Sequence, residues 1–167
     1  MDQYLTIQFA SVAVFVLLML TAAVSDLLTM TIPNRLTIAL AGLGIIFALL
    51  QRRPIDEVGS NILVGFATLV VLCVPFYFRW MGGGDVKLIA AIALWLGFSQ
   101  EFVTFLTLTA IFGGFLTLGL VTLRQIPVPA AILQLEWCDR LYSRQQMIPY
   151  GIAIALAAAI TVFQTVL

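Results

Sequence analysis

The sequence predicts an all-α polytopic membrane protein of about six transmembrane helices, with both termini outside the cytoplasm. Three observations carry that expectation. Of the 167 residues, 62% are hydrophobic and 10% charged, with a mean hydropathy of +1.12. Soluble domains carry roughly 25% charged residues, so this chain lacks the polar surface that water demands. The apolar residues fall into six charge-free stretches, 3–25, 36–51, 58–78, 88–100, 102–123 and 145–167. Finally, Lys and Arg gather in alternate connections between those stretches.

Crossing a hydrocarbon core of ~30 Å takes about 20 helical residues, which the first, third, fifth and sixth stretches supply outright. The first is expected to be retained rather than cleaved as a signal peptide. Its leading residues carry Asp2 and no Lys or Arg, and its apolar run exceeds a signal h-region. The second stretch is short, but Arg35 and Arg52 at its ends can snorkel to the two interfaces. The fourth, between Asp85 and Glu101, is the shortest, and is expected to span as well. After the fifth, Pro127 and Pro129 break any continuing helix. Residues 125–144 then read as a cytoplasmic loop tethered to the interface by Leu133, Leu135, Trp137, Leu141 and Tyr142.

With six crossings, Arg35, Arg79, Lys87, Arg124, Arg140 and Arg144 share one side, and Arg52 and Arg53 the other. The richer side is expected to be cytoplasmic. No linker or repeat divides the chain, so residues 1–167 are expected to form a single transmembrane domain. Net charge is zero and no basic tract exists, which argues against nucleic acid as a partner. The two cysteines, Cys73 and Cys138, are too few and too distant for a disulfide framework or a CxxC site. With no His in the chain, Ser-His-Asp and Cys-His catalysis are excluded, as are the usual His-bearing zinc sites. No metal and no cofactor are expected. Chemistry must come from carboxylates, hydroxyls, Lys or backbone.

Of the eight acidic residues, most sit at helix ends or in loops. Asp26 and Asp85 differ. Asp26 closes the first apolar stretch and precedes Ile32-Pro33-Asn34; Asp85 follows Gly82-Gly83-Gly84, between the third and fourth stretches. Two crossings separate the aspartates, so both return to the cytoplasmic boundary. Two carboxylates held a few ångströms apart resist double ionisation, so one keeps its proton while the other stays a base. Such a pair can activate water and protonate a leaving amine, which is peptide hydrolysis. The three glycines are expected to end the third helix, permit positive φ, and let substrate backbone approach Asp85. Lys87, two residues on, is expected to pair with Asp85 or to hold its charge state. Taken singly, each signal is ordinary: Asp26 reads as a solvated helix end, Gly-Gly-Gly-Asp as a tight turn, Ile-Pro-Asn as a helix start.

Together these residues resemble a known family. Gly82-Gly83-Gly84-Asp85 is similar to the GxGD motif of intramembrane aspartic peptidases, the group that includes presenilins and prepilin peptidases. The longer run to Val86-Lys87-Leu88, and Asp26 followed by Ile32-Pro33-Asn34, resemble type IV prepilin peptidases specifically. Ile148-Pro149-Tyr150-Gly151-Ile152-Ala153-Ile154 resembles that family too, in particular its short form from tight-adherence (Flp) pilus systems. The resemblance implies catalytic roles for Asp26 and Asp85, and an active-site loop of Gly82, Gly83, Gly84 and Lys87. It further implies a prokaryotic inner-membrane enzyme, prepilin or pilin-like substrates cut at the cytoplasmic face, and contact with pilus assembly machinery. Larger members carry paired CxxC motifs and N-methylate the new terminus; this chain has no CxxC, so only the peptidase activity is implied. Two other classes stay open on the residues alone: a small proton- or cation-coupled transporter using the aspartates, and a catalytically inactive pilus-assembly subunit.

Overall fold

The computed structural model describes residues 2–125, 138, 141–142 and 148–164. Among them are six helices and no strand: α1 (Asp2–Thr29), α2 (Asn34–Leu50), α3 (Ile55–Tyr77), α4 (Gly83–Leu96), α5 (Gln100–Leu123) and α6 (Tyr150–Gln164). The helices begin and end where local chemistry requires. Pro33 and Pro54 precede α2 and α3, where a missing N–H costs nothing. Asp56 and Glu57 occupy the first turn of α3 and favour its positive end. Ser99 caps α5 by accepting from the Phe102 N–H at 3.3 Å. The connections after α1, α2 and α3 each reverse through a left-handed residue, Met30, Arg52 and Arg79, at φ of 52°, 56° and 57°.

Burial divides the helices into two kinds. On α1 the buried residues are Ser11, Phe15, Met19, Ala22 and Asp26, three or four positions apart, which is one stripe of the helix. On α2 they are Thr37, Leu40 and Gly44, and on α5 Phe105, Thr109, Gly113 and Leu120, again single stripes. The remaining faces are also apolar: Leu17, Phe66, Val71, Phe115 and Leu118 all point outward. A helix that is apolar all round is stable only in an apolar surrounding, here a bilayer. Three helices, Leu5–Thr29, Ile55–Tyr77 and Gln100–Leu123, are long and apolar enough to cross one.

The two short helices form the centre. On α4 every residue from Leu88 to Ala93 is buried, as are Asp85 and Val86. α4 packs against α2, α3, α5 and α6, while α6 packs mainly against α1 and α5. Lipid removes the hydrophobic drive between helices, so close approach and dispersion hold them together. Small residues permit that approach. A Cβ on Gly44 would lie 2.7 Å from Trp95 Nε1, and one on Gly65 2.9 Å from Leu94 Cβ. Trp95 donates to the Leu40 carbonyl at 2.6 Å and stacks edge-on against Phe15, fastening α4 to α1 and α2.

The helix in the fourth stretch is offset from its charge-free run. The fourth stretch is helical from Gly83 to Leu96, not 88–100: Gly97, at φ 65°, stops it, and it starts early enough to include Asp85. Fourteen residues give about 21 Å of helix, short of a bilayer core. The sixth stretch, expected to qualify outright, is described as a 15-residue helix, and parts of its flanks lie outside the described residues. The interfacial segment within 125–144 also lies outside them, apart from Cys138, Leu141 and Tyr142. There Arg124 Nε donates to the Leu141 carbonyl at 2.8 Å.

Candidate active site

Asp26 is buried because it continues the core-facing stripe of α1 beyond Ala22. It sits in that helix's last turn and is 5% exposed. Its Oδ2 accepts a hydrogen bond from the Gly151 backbone N–H at 2.7 Å. Gly151 is the second residue of α6, so this N–H is one that no intrahelical carbonyl would satisfy. The carboxylate thus meets both an orphan donor and the positive end of a helix dipole. A side chain at position 151 would collide: its Cβ would lie 2.7 Å from Asp26 Oδ2 and 2.9 Å from Cγ. Tyr150 steadies this contact, packing its ring against Gly113 of α5 and sharing a hydrogen bond between its hydroxyl and that of Thr117 at 3.1 Å.

Asp85 is positioned by a different helix. It occupies the first turn of α4 and is 8% exposed. Its carboxylate turns back toward the N-cap, where a Cβ on Gly82 would lie 2.9 Å from Asp85 Oδ2. Asp26 and Asp85 lie within range of each other's charge. Among the described residues no group of three His, Cys, Asp or Glu forms, so what stands here is a carboxyl pair. The sequence expectation that both aspartates come to one end of the bundle agrees with this geometry.

Two of the jobs expected of the glycines, ending α3 and supplying positive φ, do not fall to them. Gly82 has φ −70°, and Gly83 and Gly84 are already helical; the left-handed turn that ends α3 falls on Arg79 instead. What the glycines supply is room. A Cβ on Gly84 would stand 3.0 Å from Ile32 Cβ and 3.3 Å from its backbone N, so its absence lets the turn before α2 lie against α4. A Cβ on Gly83 would press on the Phe76 ring at 3.1 Å. The expected Lys87–Asp85 pair is likewise replaced: exposed Lys87 donates through Nζ to Asn34 Oδ1 at 2.9 Å. Ile32-Pro33-Asn34 therefore does more than begin a helix. Ile32 covers Gly84, and Asn34 ties α2 to α4 beside Asp85.

Gly151 is the site residue that sequence reasoning missed. Its signal was present in the Pro149-Tyr150-Gly151 run, but nothing in that run announces a backbone donor aimed at a carboxylate 125 positions away.

Comparison with known proteins bears on this geometry. The model of the type IV leader peptidase family matches residues 13–118, a segment that contains both aspartates and the glycine run. The chain is similar to the prepilin leader peptidase/N-methyltransferase of Aeromonas hydrophila, 33% identical over 106 residues, 59% of this chain and 36% of that protein. It is also similar to the protein of the same description from Aeromonas salmonicida (strain A449), 34% identical over 104 residues, 59% of this chain and 35% of that protein. The chain thus spans about a third of the length of these curated relatives. No solved structure gives a significant match.

Proposed function

We propose, because the chain belongs to the type IV leader peptidase family, that it is an intramembrane aspartic endopeptidase. On this reading it removes the leader of prepilins or pilin-like proteins at the cytoplasmic boundary of a prokaryotic inner membrane. Residues 1–167 act as one transmembrane peptidase domain of six spans, both termini outside. The observation that carries the reading is the carboxyl pair: Asp26 and Asp85 are buried and lie within range of each other's charge, and Asp26 accepts a helix N-terminal amide. Burial and mutual repulsion keep one proton on the pair, so one member serves as base and the other as acid. The base takes a proton from water as the oxygen attacks the scissile carbonyl; the acid delivers a proton to the leaving nitrogen. Gly82, Gly83 and Gly84 keep Cβ atoms away from this point, and Lys87 anchors the loop through Asn34.

Co-expression with a prepilin tests this directly. Asp26→Asn and Asp85→Asn should each lower cleavage by about 10³-fold or more, and the double variant should be no worse than either single one. Substantial activity in either single variant removes that residue from the catalytic role. Cleavage absent from the unaltered protein favours the transporter or assembly-subunit reading.

A further inference from the structure

α3 and α4 run antiparallel, and their contacts give the depth at which α4 stops. Gly83 lies against Phe76, Gly65 against Leu94, and Gly97 against Asn61, where a Cβ on Gly97 would overlap the amide oxygen. Asn61 is six residues beyond Ile55, the first residue of α3, so α4 ends about 9 Å short of the level at which α3 begins. The same ~9 Å separates the length of α4, about 21 Å, from a hydrocarbon core of ~30 Å. The shortfall therefore lies at the C-terminal end of α4.

Over that end stands a cavity of about 370 Å³, based on Leu94, Trp95 and Leu96 and walled by α1, α2, α3 and α5. The last carbonyls of a helix have no intrahelical partner; the Gly97 N–H meets that of Ala93, and those that follow are left to the cavity. The walls are polar. Gln51 donates to Ser11 at 3.4 Å, and Arg53 to Gln51 at 3.3 Å and to Glu57 at 3.1 Å. These bonds run from α1 through the α2–α3 connection into α3. The side-chain amides of Gln8 and Asn61 also line the cavity, and neither has a hydrogen-bond partner among the described residues. An amide left bare at hydrocarbon depth is strongly unfavourable. At the rim, the Arg53 and Glu57 side chains are 39% and 47% exposed, so the cavity opens at the level where α3 begins.

We propose that this cavity is a water-filled chamber open to the face that carries the α2–α3 connection, and that α4 completes its crossing by ending in it. Water supplies the partners that Gln8, Asn61 and the last carbonyls of α4 require. The hydrated boundary dips about 9 Å over α4, and a 14-residue helix then spans. The chamber stops at Trp95, whose indole is tied to Leu40 and packs on Phe15. Beyond Trp95 every residue from Leu88 to Ala93 is buried, so water from this side does not reach Asp85. The lining carries one positive group, Arg53, against two negative ones, Glu57 and Glu101, over the negative end of α4. Small cations are therefore favoured over small anions as solutes. The chamber stands whether or not the protein is a peptidase.

Thiol accessibility in sealed membrane vesicles tests the chamber, with a cationic, membrane-impermeant methanethiosulfonate as the probe. In a Cys73→Ala, Cys138→Ala background, Gln8→Cys and Asn61→Cys report on the chamber and Asp56→Cys on the face at which it opens. Leu63→Cys is the control, 66% exposed on the outward face of α3 and two residues from Asn61. The thiolate is the reacting species and hydrocarbon suppresses it, so Gln8→Cys and Asn61→Cys should react at least ~tenfold faster than Leu63→Cys. They should do so from the same side as Asp56→Cys. Either one reacting at the Leu63→Cys rate, or only from the opposite side, overturns the chamber. Trp95 gives a second reading with the lining unaltered. In a Trp80→Phe, Trp137→Phe protein in nanodiscs, aqueous acrylamide should quench its emission. Emission that acrylamide leaves unchanged overturns the proposal even where a cysteine variant fails to reach the membrane.

Discussion

At the scale of single residues, the contact most open to test is the Gly151 amide on Asp26. Hydrogen bonds to charged groups contribute about 1.5–3 kcal/mol, so displacing this one should lower kcat/KM by roughly ten- to hundredfold. Gly151→Ala places a Cβ against Asp26 Oδ2 and should have that effect with little change in protein abundance in the membrane. Wild-type kcat/KM in Gly151→Ala would show that the amide does not position the carboxylate. The pH dependence should be bell-shaped. Below the lower macroscopic pKa of the pair both carboxyls are protonated and no base remains; above the upper one both are ionised and no acid remains. A cleavage rate that rises monotonically with pH would indicate a single base and dissolve the pair. Asp26 and Asp85 were legible in the sequence because acidic residues are scarce in an apolar chain and each carries distinctive neighbours. Gly151 was not, since a backbone donor has no side-chain signature. Lys87 was assigned the wrong partner for a related reason. Proximity in sequence favoured Asp85, whereas two residues of helix turn Lys87 by about 200° away from Asp85 and toward Asn34.

Among the helices, position matters more than length. The three helices long and apolar enough to cross a bilayer became the outer ones, and two shorter ones, α4 and α6, became the core. Hydropathy finds apolar segments, but it cannot tell lipid from protein as their surroundings. The stripe periodicity that would tell them apart is faint when every face is apolar. The glycines preserve that distinction better. Gly44 and Gly65 sit where α2 and α3 meet α4, while a Cβ on Gly42 would meet nothing within 4 Å. Overpacking costs about 1–3 kcal/mol, so Gly44→Val should lower Tm in detergent by driving into Trp95. Gly42→Ala should be neutral or stabilising by up to about 1 kcal/mol, because Ala is the better helix former. Equal Tm changes in the two variants would mean that the α2–α4 contact does not depend on close approach.

For the whole molecule, the order of six helices was legible from charge-free stretches, and the arrangement around α4 was not. Topology is the matching prediction, motivated by the bias of Lys and Arg. Reporter fusions after Arg53 and after Leu167 should read as outside, and one near Arg140 as cytoplasmic. A cytoplasmic reading at Leu167 would mean that α4, with its 14 residues, does not cross. The hold on Asp26 has a further consequence, one of timing. Asp26 and Asp85 are both made before α5, whereas the amide that fixes Asp26 belongs to the last helix. A chain still on the ribosome carries both acids without the donor that aims one of them. On the proposed peptidase reading, cleavage is then expected only once α6 has docked between α1 and α5, and a copy that stops before Tyr150 should not cleave.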